Sequence, residues 1–121
     1  MGAQTKSGAR QLEEETVTRL IFDQLVEAVQ FARAIPVFAY LPYGLEITDP
    51  APRVPGEEFF FAYCATNREV SCFSARPLFQ EKITQGFPLE TPFHWNPAGH
   101  QTVAEAIFDF IVRENYFAPN P

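Results

Sequence analysis

A long stretch of helical periodicity near the N-terminus constrains this chain most. From about Leu12 to Ala34, apolar residues recur at three- and four-residue spacing, and charged residues occupy positions between them. The apolar residues are Val17, Leu20, Ile21, Leu25, Ala28, Val29 and Ala32. Three glutamates at the start of the stretch suit the positive end of a helix dipole. The pattern predicts an amphipathic helix over residues 12–34, preceded by a flexible N-terminal tail over residues 1–11.

Two short apolar segments after this helix predict buried strands. The first, IPVFAYLP at residues 35–42, is rich in aromatic and β-branched residues and is apolar on both faces, as strands in a helix-covered parallel sheet are. The second, REVSCFS, occupies residues 68–74. We expect residues 35–41 and 69–73 to be parallel neighbours in one sheet.

The remaining segments predict one long loop and two short elements. Residues 43–58 are rich in proline and are interpreted as a loop, of a length that is usually functional or mobile in a compact domain. Residues 57–67 open with two glutamates and predict a short helix. Residues 76–83 predict a turn or another short helix.

A second strong helix is predicted from Pro97 to about Tyr116. Its apolar face contains Val103, Ala104, Ile107, Phe110 and Ile111. The order helix, strand, helix, strand, helix predicts part of a layered α/β domain over residues 12–116. Residues 117–121 are expected to form a C-terminal tail.

Composition excludes some classes of partner and leaves others open. The chain has 121 residues, of which 46% are hydrophobic, so we expect one small domain with a packed core. The net charge of −6 and the lack of a basic stripe exclude the phosphate contacts that drive nucleic-acid binding. No apolar run approaches the roughly 20 residues that a membrane-spanning helix needs. The start of the chain lacks the apolar core of a signal peptide, and nothing assigns a compartment.

The two cysteines, Cys64 and Cys72, do not form a CxxC pair. A disulfide in an oxidising compartment and two small buried thiols both fit this spacing, and the thiols are the expectation. The two histidines, His94 and His100, have a spacing that matches none of the usual metal-ligand patterns. No metal or other cofactor is therefore predicted.

Both histidines and the only tryptophan lie within HWNPAGH, at residues 94–100. Asn96 is a favoured N-cap and Pro97 a favoured first helical residue, so the helix is predicted to begin directly after the tryptophan. His94 therefore lies on the loop that leads into the helix, where a side chain can face a cleft. One turn later, the missing side chain of Gly99 permits another backbone to approach closely.

The segment FHWNPAGHQTVAEAIFDFI resembles the C-terminal signature of the SGNH (GDSL-type) hydrolases. In that signature a catalytic histidine precedes an asparagine, a Gly-His or similar pair, and an amphipathic helix with a Val-Ala step. Upstream, the long helix, the strand ending in YLP and the EVSCFS…PLF segment agree in order with the family's later elements. The resemblance covers residues 12–115. It implies a partial flavodoxin-like three-layer α/β/α fold with a parallel sheet, whose N-terminal part is missing.

The resemblance also implies functional roles within the motif. His94 matches the catalytic general base, which takes a proton from a serine hydroxyl and returns it to the leaving alkoxide. Imidazole suits this task because it gains and loses a proton near neutral pH. Asn96 and His100 match positions that are interpreted as structural. Trp95 is interpreted as a packing residue.

Other parts of the family's catalytic apparatus are not found in this sequence. The family's orienting aspartate, two or three residues before the histidine, is replaced by Pro92 and Thr91. The nearest acid, Glu90, is interpreted as a solvated loop residue, with an orienting role as the alternative. No Gly-Asp-Ser motif follows a strand, and the blocks that form the family's oxyanion hole are absent. The only serines are Ser7, Ser71 and Ser74.

Two functions follow from these observations. The first is the C-terminal part of an ester hydrolase, acting on an ester of unknown class through a serine nucleophile that this chain lacks. The alternative is a non-catalytic α/β interaction module that keeps the histidine motif as scaffold. Phe59, Phe60 and Phe61 occupy three successive helix positions, more than one buried face holds. The run is interpreted as core or as surface that the missing segment normally covers, and in the second case we expect self-association or pairing with that segment.

Overall fold

A computed structural model describes residues 2–48, 54–89 and 94–116 of the chain. Within these ranges the helices are α1 (Gly2–Phe31), α2 (Leu45–Thr48), α3 (Pro55–Thr66), α4 (Arg76–Thr84) and α5 (Pro97–Arg113). The strands are β1 (Val37–Tyr40) and β2 (Ser71–Ser74). The chain divides into two compact units, residues 1–37 with 55–71 and residues 38–54 with 72–121. The predicted C-terminal tail, residues 117–121, lies outside the described residues.

β1 and β2 form a two-stranded parallel sheet. The Ser71 amide donates to the Pro36 carbonyl at 3.1 Å, and the Ala75 amide donates to the Tyr40 carbonyl at 2.9 Å. The second bond lies further along both strands in the same direction, as parallel pairing requires. The predicted parallel pairing is therefore confirmed, and the described residues have a mixed α/β architecture. The three-layer arrangement implied by the resemblance remains a prediction.

The observed helices agree with the predicted ones in type and differ at some boundaries. The short helix expected at 57–67 is α3, the segment at 76–83 is the helix α4, and the last helix begins at the predicted proline. α1 begins at Gly2, ten residues before its predicted start. None of the described helices combines the length and apolar content that crossing a membrane requires.

The prediction of one continuous loop over residues 43–58 is wrong. α2 lies within this range, and α3 begins at Pro55, while residues 49–53 lie outside the described ones. Two side chains from outside α2 bind it. The Tyr40 hydroxyl donates to the Glu46 carboxylate at 2.8 Å, and Arg76 Nε, thirty residues away in sequence, donates to the Glu46 carbonyl at 2.7 Å. A helix this short depends on such tertiary contacts because it cannot be stable alone.

In the first unit, α1 contacts α3 through aromatic side chains. The Phe22 ring lies 5.1 Å from the Tyr63 ring in an edge-on arrangement and 6.0 Å from the Phe59 ring. On α3, Phe59 and Phe60 are buried and Phe61 is half-buried. Phe59 and Phe60 are therefore core residues, and the interpretation of them as an uncovered surface is wrong; at Phe59 the Phe22 ring of α1 supplies part of the cover.

The face of α1 that contacts α3 differs from the apolar face predicted from sequence. Val26 is buried, with 6% of its surface exposed. By contrast Leu20 and Ile21, in the middle of the predicted apolar face, are 58% and 52% exposed. The periodicity therefore predicts the helix correctly but does not identify its buried side.

The second unit has a hydrophobic core built from short elements. The core contains Ile47, Ala75, Phe79, Leu89 and Val103, with Ile83, Trp95 and Ala106 packed at its margin. Phe79 on α4 and Ile47 on α2 are fully buried. This core supports the first turn of α5 and the loop before it, where the histidine motif lies.

Cys64 and Cys72 are disulfide-bonded, and no cysteine of the chain is free. The expectation of two unbridged thiols is therefore wrong. A turn after α3, in which the Val70 amide donates to the Asn67 carbonyl at 3.2 Å, reverses the chain between the two cysteines. The thiol interpretation depended on the usual burial of lone cysteines as small hydrophobes, and the sequence does not reveal the reversal between these two.

Candidate functional site

Asn96 caps the N-terminus of α5, as the sequence predicts. Its Oδ1 accepts a hydrogen bond from the Gly99 amide at 2.8 Å, which satisfies one of the free donors of the first turn. Its Nδ2 donates to the Pro88 carbonyl at 2.6 Å, and its backbone amide donates to the Leu89 carbonyl at 3.0 Å. One residue thus joins the start of α5 to the segment that follows α4.

Gly99 is required by close packing at the same turn. A Cβ atom at this position would lie against the Leu89 carbonyl oxygen and 2.7 Å from Trp95 Cβ, closer than real Cβ atoms approach. The close backbone approach predicted at Gly99 is confirmed, and the approaching backbone is that of Leu89. The turn has no space for a side chain.

Trp95 connects the loop before α5 to the end of β1. Its indole N–H donates to the Pro42 carbonyl at 3.0 Å, two residues after the last residue of β1. Its ring contacts the Phe79 ring at 5.7 Å, at the margin of the core. The packing role predicted for Trp95 is confirmed.

His94 lies directly before Trp95, on the loop that leads into α5, and is exposed. The hydrogen bond of the neighbouring tryptophan to Pro42 attaches the loop that carries His94 to the segment that follows the carboxyl end of β1. In open α/β sheets, ligands bind at the carboxyl ends of the strands. The position of His94 suits a functional residue, and its catalytic role remains a prediction.

His100 lies inside α5, with its ring edge-on to the Trp95 ring at 5.5 Å. Its backbone amide donates to the Asn96 carbonyl at 3.0 Å, within the first turn of the helix. The two histidines thus occupy different environments, since His94 precedes the helix cap and His100 packs on the tryptophan beyond it. This packing accounts for His100 without a catalytic task.

A polar cluster that sequence reasoning missed lies at the carboxyl ends of both strands. Tyr40 ends β1 and donates to Glu46, whose carbonyl also accepts from the buried Arg76. Ser74 ends β2, and its hydroxyl oxygen accepts a hydrogen bond from the Arg76 amide at 3.2 Å. A tyrosine and a serine at the ends of two parallel strands would have indicated this juxtaposition. The bonds hold α2 and the start of α4 against the strand ends.

A separate cleft of about 160 Å³ lies between α4 and α5. Lys82 and Glu105, which form an ion pair with 3.4 Å between Nζ and Oε2, both line it. Neither His94 nor the polar cluster at the strand ends lines this cleft. The cleft therefore does not bring the predicted site residues together.

Several residues of the predicted motif lie outside the described part of the chain. They are Glu90, Thr91, Pro92 and Phe93. The alternative in which Glu90 orients the His94 ring therefore remains a prediction. In the described residues, no three His, Cys, Asp or Glu side chains gather as a metal site would require.

No family model, curated protein or solved structure matches this chain. The resemblance to the SGNH hydrolases therefore depends on the residues of the histidine motif and on the order of the elements around it.

Proposed function

We propose that this chain is the C-terminal, histidine-bearing part of an SGNH-type ester hydrolase, with His94 as its general base. The observation that carries the proposal is the place of His94, one residue before a tryptophan whose indole donates a hydrogen bond to Pro42, two residues after a parallel strand ends. That edge of an α/β sheet is where substrates and catalytic residues usually meet.

The first turn of α5 supports this role by limiting movement of the loop. Asn96 binds both the helix start and the preceding segment, and Gly99 packs directly against the Leu89 carbonyl. The backbone after His94 is therefore held by short contacts on both sides. A general base must be positioned to within a fraction of an ångström to act efficiently, and such support provides this.

In the proposed reaction, the His94 imidazole removes the proton from a serine hydroxyl as the serine oxygen attacks the ester carbonyl. The tetrahedral intermediate collapses, the C–O bond to the alcohol breaks, and the alkoxide takes the proton from the imidazolium. Water then repeats the sequence on the acyl-serine, which releases the acid. The nucleophile, the oxyanion hole and the carboxylate that orients the imidazole would come from parts of the domain not identified in this sequence.

One observation favours the alternative, a non-catalytic interaction module. Capping by Asn96, packing of Trp95 and the close approach at Gly99 account for most of the motif as local structure. These roles would persist in a scaffold without any reaction. His94 discriminates between the two functions, because it is the general base in the first and part of the scaffold in the second.

The test measures hydrolysis of short activated esters by the purified chain, alone and combined with an upstream segment that carries Gly-Asp-Ser. We expect the chain alone to show slow, imidazole-like turnover, and the combination to hydrolyse esters rapidly. His94→Ala should then lower kcat/KM by about 10³-fold or more, because nucleophile and base act as a unit. His100→Ala is the matched control and should change it less than about ten-fold.

Three results would contradict the proposal. Reconstituted activity that survives His94→Ala but not His100→Ala would show that the motif is assigned wrongly. Rapid hydrolysis by the chain alone would indicate an unrecognised nucleophile, with Ser74 the first residue to replace. Failure of every Gly-Asp-Ser segment to restore hydrolysis would favour the interaction module.

Thr91→Asp and Pro92→Asp, tested separately, should raise any restored rate, because each would give the imidazole an orienting carboxylate.

A further inference from the structure

We propose that α1 carries a homodimer interface, against which α1 of a second copy packs in the antiparallel direction. The proposed interface, here called the α1 stripe, consists of large apolar side chains that are exposed in the single chain. They are Val17, Leu20, Ile21, Leu25 and Phe31, with exposed fractions of 56%, 58%, 52%, 48% and 92%. This inference is independent of the proposed hydrolase function.

The α1 stripe occupies one face of the helix. Successive members are one, three, four or six positions apart, and at about 100° per residue all of them fall within an arc of roughly 140°. Phe22 and Val26 lie on a different side, where Phe22 contacts α3 and Val26 is buried. The stripe is therefore not the surface that α1 uses inside its own unit.

The exposed area fits a weak dimer of two identical helices. The stripe presents on the order of 500 Å² of apolar surface per copy, about 1,000 Å² in a symmetric pair, which lies at the low end of specific interfaces. Isolated apolar side chains on a surface are common, but a contiguous stripe of this size marks an interaction site. We therefore expect a dissociation constant in the micromolar range or above.

Charges near the two ends of the α1 stripe favour one direction of packing. Glu13 and Glu14 lie one turn before Val17, on the same side of α1 as the stripe. Glu14 forms an ion pair with Arg10 at 3.1 Å, so these three charges sum to −1 at this end. Arg33 lies just beyond the C-terminal end of the stripe. Parallel packing would place the glutamates of the two copies together and the two arginines together. Antiparallel packing places Arg33 of each copy beside the glutamates of the other. Such rim charges contribute little affinity but determine orientation.

The first experiment is sedimentation velocity over roughly 1–300 μM chain. Wild-type chain should pass from monomer to dimer within this range. Leu25→Glu should raise the dissociation constant at least ten-fold, because it buries a carboxylate in the apolar contact. Leu12→Glu is the matched control: Leu12 is also an exposed leucine of α1, 66% exposed, but lies about 140° around the helix from Leu25. It should leave the dissociation constant within three-fold of wild type.

The second experiment tests the direction of packing by charge reversal at low ionic strength. Arg33→Glu should weaken the dimer several-fold, and adding Glu13→Lys and Glu14→Lys to it should restore the dissociation constant to within about three-fold of wild type.

If circular dichroism shows that Leu25→Glu disturbs folding, Ile21→Lys replaces it on the same stripe. A chain that stays monomeric at 300 μM would overturn the proposal, even if it binds a hydrophobic dye or another protein. Equal effects of Leu25→Glu and Leu12→Glu would also overturn it, and failure of the triple variant to recover would overturn the antiparallel direction.

Discussion

At the start of α5, side chains and backbone have close neighbours, whereas the apolar side chains of the α1 stripe lie exposed along one face of a helix. Asn96 makes four hydrogen bonds there, and Gly99 has no space for a Cβ atom. Leu20, near the middle of α1, keeps more than half of its surface exposed. An amphipathic pattern thus indicates which side chains a helix can bury, but not which of them it does bury. A capping motif predicts particular contacts, because its partners lie within a few residues of each other.

The difference between the two regions has a simple physical origin. The cap of α5 joins residues three positions apart, so it forms whenever the helix forms. The side of α1 that is buried depends on Phe22 meeting Phe59 and Tyr63, which lie about forty residues away in sequence. Substitutions at the start of α5 should therefore be costly, and substitutions along α1 should depend strongly on which face they alter.

The largest effect is expected from Gly99→Ala. The added methyl group would clash with the Leu89 carbonyl and with Trp95 Cβ, neither of which can move without disturbing the core. We expect a loss of about 3 kcal/mol in the free energy of unfolding, measured by chemical denaturation. Gly56→Ala is the control, because a Cβ atom at Gly56 meets nothing within 4 Å. Equal stability of the two variants would show that the first turn of α5 is looser than described.

The next effect concerns the pH dependence of the α1–α3 contact. Burial, followed by the hydrogen bond to the nearby Asp23 carboxylate, raises the pKa of Tyr63 from 10.0 to about 12. Below pH 10 the tyrosine is protonated in both the folded and the unfolded chain, so its full contribution to the free energy of unfolding is present. Between pH 10 and 12 the unfolded chain loses this proton first, so stability falls as pH rises, by about 2 to 3 kcal/mol in total.

Denaturation at pH 9 and pH 12 measures this effect on the Tyr63 contact. In the Tyr63→Phe variant the fall in the free energy of unfolding between these pH values should be smaller than in wild type by about 2 to 3 kcal/mol, the contribution of the Tyr63 hydroxyl. Tyr43→Phe controls for other groups that titrate in the same range, since Tyr43 is 62% exposed. If the two variants respond identically to pH, Tyr63 does not carry the coupling between α1 and α3.

The smallest of the three effects is the difference in stability between substitutions on the two faces of α1. Val26→Ala should lower the free energy of unfolding by about 2 kcal/mol, because it removes buried methyl groups and leaves a cavity. Leu20→Ala should change it by less than about 0.5 kcal/mol in dilute solution, because Leu20 is exposed. Denaturation at low micromolar concentration measures both variants without dimer formation. A larger cost for Leu20→Ala would mean that the α1 stripe is covered within the single chain.

The sequence by itself determined the features that depend on near neighbours or on short repeating patterns. The cap at Asn96, the glycine at position 99 and the parallel pairing of β1 with β2 were predictable, because each is encoded by residue type at a fixed spacing or by an unbroken apolar run. The place of His94 just before the helix followed from the same cap. Its catalytic role requires a serine nucleophile and an orienting carboxylate, which the local pattern around His94 does not supply.

Only the tertiary structure decided features in which distant segments meet. The buried side of α1, the burial of Phe59 and Phe60, and the disulfide between the two cysteines all depend on how the chain reverses between elements. α2 was missed in part for the same reason, since one of the bonds that hold it comes from Arg76, thirty residues away in sequence. The type of a residue limits which groups its side chain can pack against or hydrogen-bond. Which remote residue becomes its partner depends on the fold of the whole chain, because contacts between remote segments form only when the fold brings them together.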